Sequence, residues 1–286
     1  MTADAPDAAA ETTAPLIIAV APNGARRTHA DHPKLPMTPA ELARCAADCA
    51  AAGAAMIHLH VRDEAGGHTL DPKAYRAAIA AIRGETGDRI VIQATTEAVG
   101  RYAPAEQMGA VRELRPEAVS LAPRELVPEG GDETAAAVFF HWLEGEGILP
   151  QYILYSEQDV ARFDDLIARG VVPAGPKFVL FVLGRYTPGQ RSQPNDLVPF
   201  LTANRAGHRW AVCAFGPREA ACAVTAAGLG GHARVGFENN LLLPDGRRAA
   251  DNAALVANVA QAAALLGRRL ADAEAARALM AGGGGS

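Results

Sequence analysis

Eight short apolar runs rich in Val, Ile, Leu and Phe punctuate the chain, and each gives way to turn residues and then to a longer segment of helical character. The runs are LIIAVA (16–21), MIHLHV (56–61), IVIQAT (90–95), AVSLA (118–122), QYILYS (151–156), KFVLFVLG (177–184), WAVCAF (210–215) and ARVGFE (233–238). Helix-start signals follow several of them: Thr38-Pro39, Asp71-Pro72 and Gly216-Pro217 each place proline where a first helical residue should fall. Glycines close others, as at residues 53 and 170. Strict alternation of eight such units predicts an α/β protein, a closed parallel (β/α)8 TIM barrel forming one domain over residues 15–280. An open doubly wound sheet is the alternative, but no GxGxxG follows the first run to support a dinucleotide site. A length of 286 residues suits one such barrel.

Composition narrows the function classes. Apolar residues make up 49%, dominated by alanine, and aromatics only 5%, which points to helix-rich packing with few bulky anchors. The formal charge of −5 carries no long run of one sign, so neither nucleic acid nor an anionic membrane surface is an expected partner. Residues 1–14 are acidic and lack the basic start and apolar middle of a signal peptide, so they read as a disordered leader of a cytoplasmic protein. The closing residues 281–286 read as a flexible glycine-rich tail. Cys45, Cys49, Cys213 and Cys222 lack zinc-ribbon spacing and are expected as buried thiols. The three lysines are Lys34, Lys73 and Lys177, none at the carboxyl end of a run, which disfavours Schiff-base and pyridoxal-phosphate chemistry.

In a barrel of this kind catalytic side chains gather at the carboxyl ends of the strands. His58 and His60 are two apart on the second run and point one way, while Ile57, Leu59 and Val61 point toward the helices. The inward parity of the eighth run, through Arg234 and Gly236, brings Glu238 to its end, two strands from the histidines. Two histidines and a carboxylate with open positions form a recurrent catalytic set for zinc or another divalent metal. The competing reading leaves each histidine hydrogen-bonded in a polar barrel mouth. Arg234 needs an anionic partner, either Glu238 in a structural pair or a bound carboxylate. Other run ends add Thr95, Thr96, Glu97, Ser120, Arg124, Tyr155, Ser156 and Arg185.

PNGARR (22–27), LPMTPAEL (35–42), HLHVRD (58–63), Thr95-Thr96, SL at 120–121 and above all GGHARVGFENN (230–240) resemble the β-keto acid cleavage enzyme family over most of the chain. The resemblance implies an oligomeric TIM barrel, a homodimer or homotetramer, with zinc on His58, His60 and Glu238. It implies exchange of groups between a β-keto acid and acetyl-CoA, giving acetoacetate and a new CoA thioester, with zinc as Lewis acid on the keto group. Arg234 matches the family arginine that orients the substrate, and Thr95 a residue that bonds its carboxylate; Thr96, Ser120 and Arg62 complete the expected substrate contacts. Asn239 stands where the family carries an aspartate, the candidate general base, and an amide accepts no proton at neutral pH. Glu97 stands where the family commonly has glycine, and is the expected replacement base unless it is solvated or neutralises a loop arginine. Ala122-Pro123 replaces a polar residue and suggests an altered acyl pocket. Gly216 and Arg218, at the start of the helix after the seventh run, are the candidate thioester-phosphate contacts. A CoA-independent metal-dependent retro-aldol or hydrolytic enzyme, and a non-catalytic metal-binding barrel, are the rival readings.

Overall fold

A computed structural model describes residues 14–282. All but Ala14 of the expected leader, and all of the expected tail beyond residue 282, lie outside the described residues. Ten strands appear: β1 (Ile18–Val20), β2 (Met56–Leu59), β3 (Val61–Arg62), β4 (His68–Thr69), β5 (Val91–Thr95), β6 (Ala118–Leu121), β7 (Leu149–Leu154), β8 (Phe178–Leu183), β9 (Arg209–Ala214) and β10 (His232–Val235). Eight close into a parallel barrel in the order β1-β10-β9-β8-β7-β6-β5-β2, and the remaining two form the β3–β4 hairpin. The predicted closed barrel is therefore the observed one, one strand to each apolar run.

Helices return the chain between strands: α1 (Pro39–Ala51), α2 (Pro72–Thr86), α3 (Pro104–Leu114), α4 (Pro123–Leu126), α5 (Glu133–Gly145), α6 (Glu157–Ala168), α7 (Val198–Ala203), α8 (Glu219–Gly228), α9 (Asn252–Leu265) and α10 (Ala273–Met280). Thr38 caps α1 in a capping box with Glu41, and Asp71 caps α2 by accepting from the Lys73 amide. At the third predicted start the helix begins later than Pro217, at Glu219. No helix among the described residues is long and apolar enough to cross a membrane.

The interior is layered. Ile17, Met56, Val91, Ala118, Phe178 and Leu180 fill the amino-terminal end, and α10 folds beneath them with Ala273, Ala276, Leu279 and Met280. Burial of Leu279 and Met280 contributes about 1.5–3 kcal/mol each, and it closes that end of the barrel. Ile57, Leu59 and Val61 pack outward with α1 and α2, as their parity predicts. Above the apolar floor the inward residues turn polar: His58, Gln93, Gln151 and Arg234 are all buried. An expensive polar layer of this kind marks the working end of the molecule.

Candidate active site

Two corrections to the strand readings decide how the site is built. The second run does not continue as a barrel strand to Val61: β2 stops at Leu59, and Val61 and Arg62 pair instead with Thr69 and His68 in the hairpin. The Asn23 side-chain amide donates to the His60 carbonyl at 3.1 Å, holding the chain where it leaves the barrel. The eighth run likewise ends early, at Val235. Gly236 adopts φ +141°, and a Cβ there would lie 2.3 Å from the Ala21 carbonyl oxygen, so only glycine lets the chain turn against β1. Its carbonyl accepts from the Asn239 amide at 2.8 Å and the Asn240 amide at 3.1 Å, and that turn carries Glu238 inward. His60 and Glu238 thus sit just past strand ends, and alternation along a strand is not what aims them.

His58, His60 and Glu238 each offer a ligand atom, all within 4.8 Å of one another. Nε2 of His58 lies 3.1 Å from Nε2 of His60, and Glu238 Oε2 is 3.6 Å and 3.4 Å from these nitrogens. Glu238 Oε2 is buried with no hydrogen-bond partner among the described residues. Burial pushes the Glu238 carboxyl up, but the Arg234 guanidinium outweighs it and holds the group well below the usual carboxylate range. Burial, aided by Arg234, drives the His58 imidazole well below its ordinary pKa, so it is neutral near pH 7. An orphaned carboxylate oxygen facing a neutral imidazole suits a divalent cation.

The supporting shell fixes which nitrogens face inward. Gln93 donates through its amide to Gln151 at 3.2 Å, which leaves its oxygen, 2.9 Å from His58 Nδ1, to accept from that ring. His58 therefore keeps its Nε2 lone pair toward Glu238. A second chain serves His60: His68 Nε2 donates to the Glu97 carbonyl at 3.0 Å, and its bare Nδ1 stands 3.5 Å from the Nδ1–H of His60. Burial, with His60 beside it, lowers His68 to about 3, in keeping with a neutral ring. Such second partners orient ligating imidazoles. Neither Gln93 nor His68 stood out in the sequence; His68 carries a signal only once residues 61–69 are seen as a hairpin that folds back onto HLH.

Arg234 donates from Nη2 to Glu238 Oε1 at 3.0 Å and to Cys213 Sγ at 3.1 Å. Its Nε and Nη1 are buried without partners among the described residues. A cavity of about 20 Å³, room for about one water, lies between His58, Thr95, Glu97, Tyr155, Arg234 and Glu238. A larger one of about 140 Å³ continues outward past Glu97, Arg185, Phe215 and the loop carrying Gly24, Arg26 and Arg27. Gly24, at φ +62°, lets that loop lie on Glu238, since a Cβ there would meet Glu238 Cγ at 2.6 Å.

The remaining predicted residues divide. Thr95 lines the inner cavity; its Oγ1 accepts from the Glu97 amide at 3.1 Å and from Ser120 Oγ at 3.3 Å. Glu97 lines both cavities, with Oε2 3.9 Å from His60 Nε2 and Oε1 2.9 Å from Arg26 and 3.6 Å from Arg185. Thr96 turns away and donates to the Ser120 carbonyl at 3.1 Å. Arg62 clamps the loop after β1 by donating to the carbonyls of Gly24, Ala25 and Arg27. Gly216 donates its amide to the Asn239 carbonyl at 3.2 Å, and Arg218 is exposed and lines neither cavity. Asn239 is buried behind the wall, accepting from Cys213 Sγ at 3.3 Å and donating to Glu219 Oε1 at 3.3 Å. Glu219, another residue the sequence reading passed over, also accepts from the Gly236 amide at 3.0 Å and from Asn240 at 3.3 Å. Burial still pushes its carboxyl up to about 8.

A family model described as β-keto acid cleavage enzyme matches residues 15–281. A 3-keto-5-aminohexanoate cleavage enzyme of Fusobacterium nucleatum is 32% identical, with 93% of this chain and 97% of that protein covered. A 3-oxoadipate:acetyl-CoA acetyltransferase of Cupriavidus necator is 28% identical, with 94% and 95% covered. Among solved structures, the apo structure of ObcA superposes with a TM-score of 0.69 at 18% identity. That match takes in 87% of this chain and 65% of the other, just under two thirds of ObcA's length.

Proposed function

The chain belongs to the β-keto acid cleavage enzyme family, and on that premise we propose that it exchanges groups between a β-keto acid and acetyl-CoA, forming acetoacetate and a new acyl-CoA, with zinc held by His58, His60 and Glu238. Relatives named as acetyl-CoA transferases support the co-substrate. The observation that carries the reading is the convergence of the three ligand atoms beside two unpartnered donors of Arg234. Zinc, when bound, supplies Lewis acidity toward a keto oxygen.

The chain's own residues supply the rest. Arg234 Nη1, one of its two unpartnered donors, donates to the substrate carboxylate in a charge-assisted hydrogen bond. Thr95 Oγ1 already accepts two hydrogen bonds, so its own proton is left to donate into the inner cavity. Two carboxylates line the cavities, Glu97 and Glu238. With Glu238 assigned to the metal, Glu97 takes the proton from the carbon between keto group and carboxylate. Asn239 holds the wall and takes no proton. The test incubates zinc-loaded protein with acetyl-CoA and a panel of β-keto acids and follows acetoacetate and new thioesters by mass spectrometry. Glu97→Gln should lower turnover at least about a hundredfold. A Glu97→Gln variant working at the parent rate would remove Glu97 as the base, and a panel without new thioesters would remove the reaction.

A further inference from the structure

The outer cavity holds more cationic than anionic groups. Arg26, Arg27 and Arg185 line it with Glu97 and Glu238 as the carboxylates. Glu238 answers Arg234 below, and Arg27 donates to the Phe237 carbonyl. Glu97 is left with two guanidiniums on one oxygen, Arg26 at 2.9 Å and Arg185 at 3.6 Å. Water can serve Arg26, whose side chain is 56% exposed. Arg185 is different: its side chain is 18% exposed, and its guanidinium carbon lies 5.2 Å from the centre of the Phe215 ring and 5.9 Å from that of Tyr186. Its ion-pair partner among the described residues, Glu97 at 3.6 Å, stands beyond hydrogen-bond length. A largely covered guanidinium that makes no hydrogen bond is a poor structural element and a good receptor for a planar anion.

The position fits the far end of a substrate. Glu97 reaches His60 with one oxygen and Arg185 with the other, so Arg185 stands one carboxyl group away from the proposed metal ligands. Ile153, Val182 and Phe215 line the inner cavity together with Arg185 and Arg234, so apolar side chains stand beside both cations for a substrate's methylenes to pack against. We propose that Arg185 is the specificity-determining cation of this site and receives a distal carboxylate, so that the enzyme selects β-keto acids that end in a second acidic group. This rests on the reading above, in which the inner cavity takes the keto-acid end. The incoming carboxylate displaces Glu97 from Arg185 and leaves the Glu97 oxygens turned toward the substrate.

Binding can be read apart from turnover. Calorimetric titration of the zinc-supplied full chain compares adipate with hexanoate and 6-aminohexanoate, which share length and one carboxylate and differ at the far end. Adipate is expected to bind at least about tenfold tighter than hexanoate, and 6-aminohexanoate more weakly than either. Arg185→Gln should bring the adipate-to-hexanoate ratio to near one, Arg185→Lys should keep part of it, and Glu97→Gln, which removes the competing carboxylate, should tighten adipate. Equal binding of adipate and hexanoate by the parent, no adipate binding at millimolar concentration, or equal losses for both in Arg185→Gln overturns the proposal. So does a loss confined to coenzyme A, which would assign Arg185 to its phosphates. Adipate selectivity without any thioester product would leave this subsite standing and retire the reaction instead.

Discussion

Glu219 offers a sharp physical test because its burial and its partners pull in opposite directions. Three donors face it, the Gly236 amide and the side chains of Asn239 and Asn240, yet burial raises its carboxyl from 4.5 to about 8. Below pH 4.5 both folded and unfolded chains hold the proton, and the full contribution is present. Between 4.5 and about 8 the unfolded chain ionises first, the folded chain binds the extra proton, and stability falls with rising pH by about 1.4 kcal/mol per pH unit. The loss amounts to about 5 kcal/mol, complete just above the folded pKa. Glu219→Gln abolishes the titration, but with its oxygen kept for the Gly236 amide and Asn239 it turns its N–H2 against the Asn240 donor, costing about 1–3 kcal/mol at every pH. The two stability curves must therefore cross: the parent is more stable at pH 5, the variant equal or better at pH 9. Urea unfolding of metal-stripped protein, followed by the fluorescence of Trp142 and Trp210, measures both. Parallel curves would mean that the three donors keep Glu219 ionised in the fold, and the burial argument would be wrong.

Two further perturbations test the scaffold of the site. Gln93→Ala removes the acceptor that sets the His58 ring, and zinc affinity measured against a chromophoric chelator should fall about 10–100-fold; an unchanged affinity would show that Gln93 does not orient the ligand. Gly236→Ala drives a Cβ to within 2.3 Å of the Ala21 oxygen at a φ that disfavours L side chains, and should destabilise the fold by more than about 3 kcal/mol in thermal melts. A parent-like midpoint would mean that the end of β1 yields.

The barrel was legible because hydrophobic period and helix-start chemistry agree along the chain. Each of the eight apolar runs became a barrel strand, with the largest offset at β10, which ends at Val235 rather than at residue 238. Residue types at the carboxyl ends also pointed to the cluster of His58, His60 and Glu238. What the chain could not disclose was the backbone path past those ends. The turn at Gly236 and the hairpin after His60 depend on contacts with the loop after β1, which no periodicity records. For the same reason Arg62, read as a substrate contact, turns out to hold three carbonyls of that loop. Glu219 looks in sequence like an ordinary acidic residue in a first helical turn, and only the packing of α8 against β9 and β10 buries it.

The last helix, folded under the barrel, makes the interior a cul-de-sac. A blind passage fills from its closed end, so traffic in both directions shares one doorway. That single doorway is the work of α10, at the opposite end of the barrel from His58, Arg234 and Glu238.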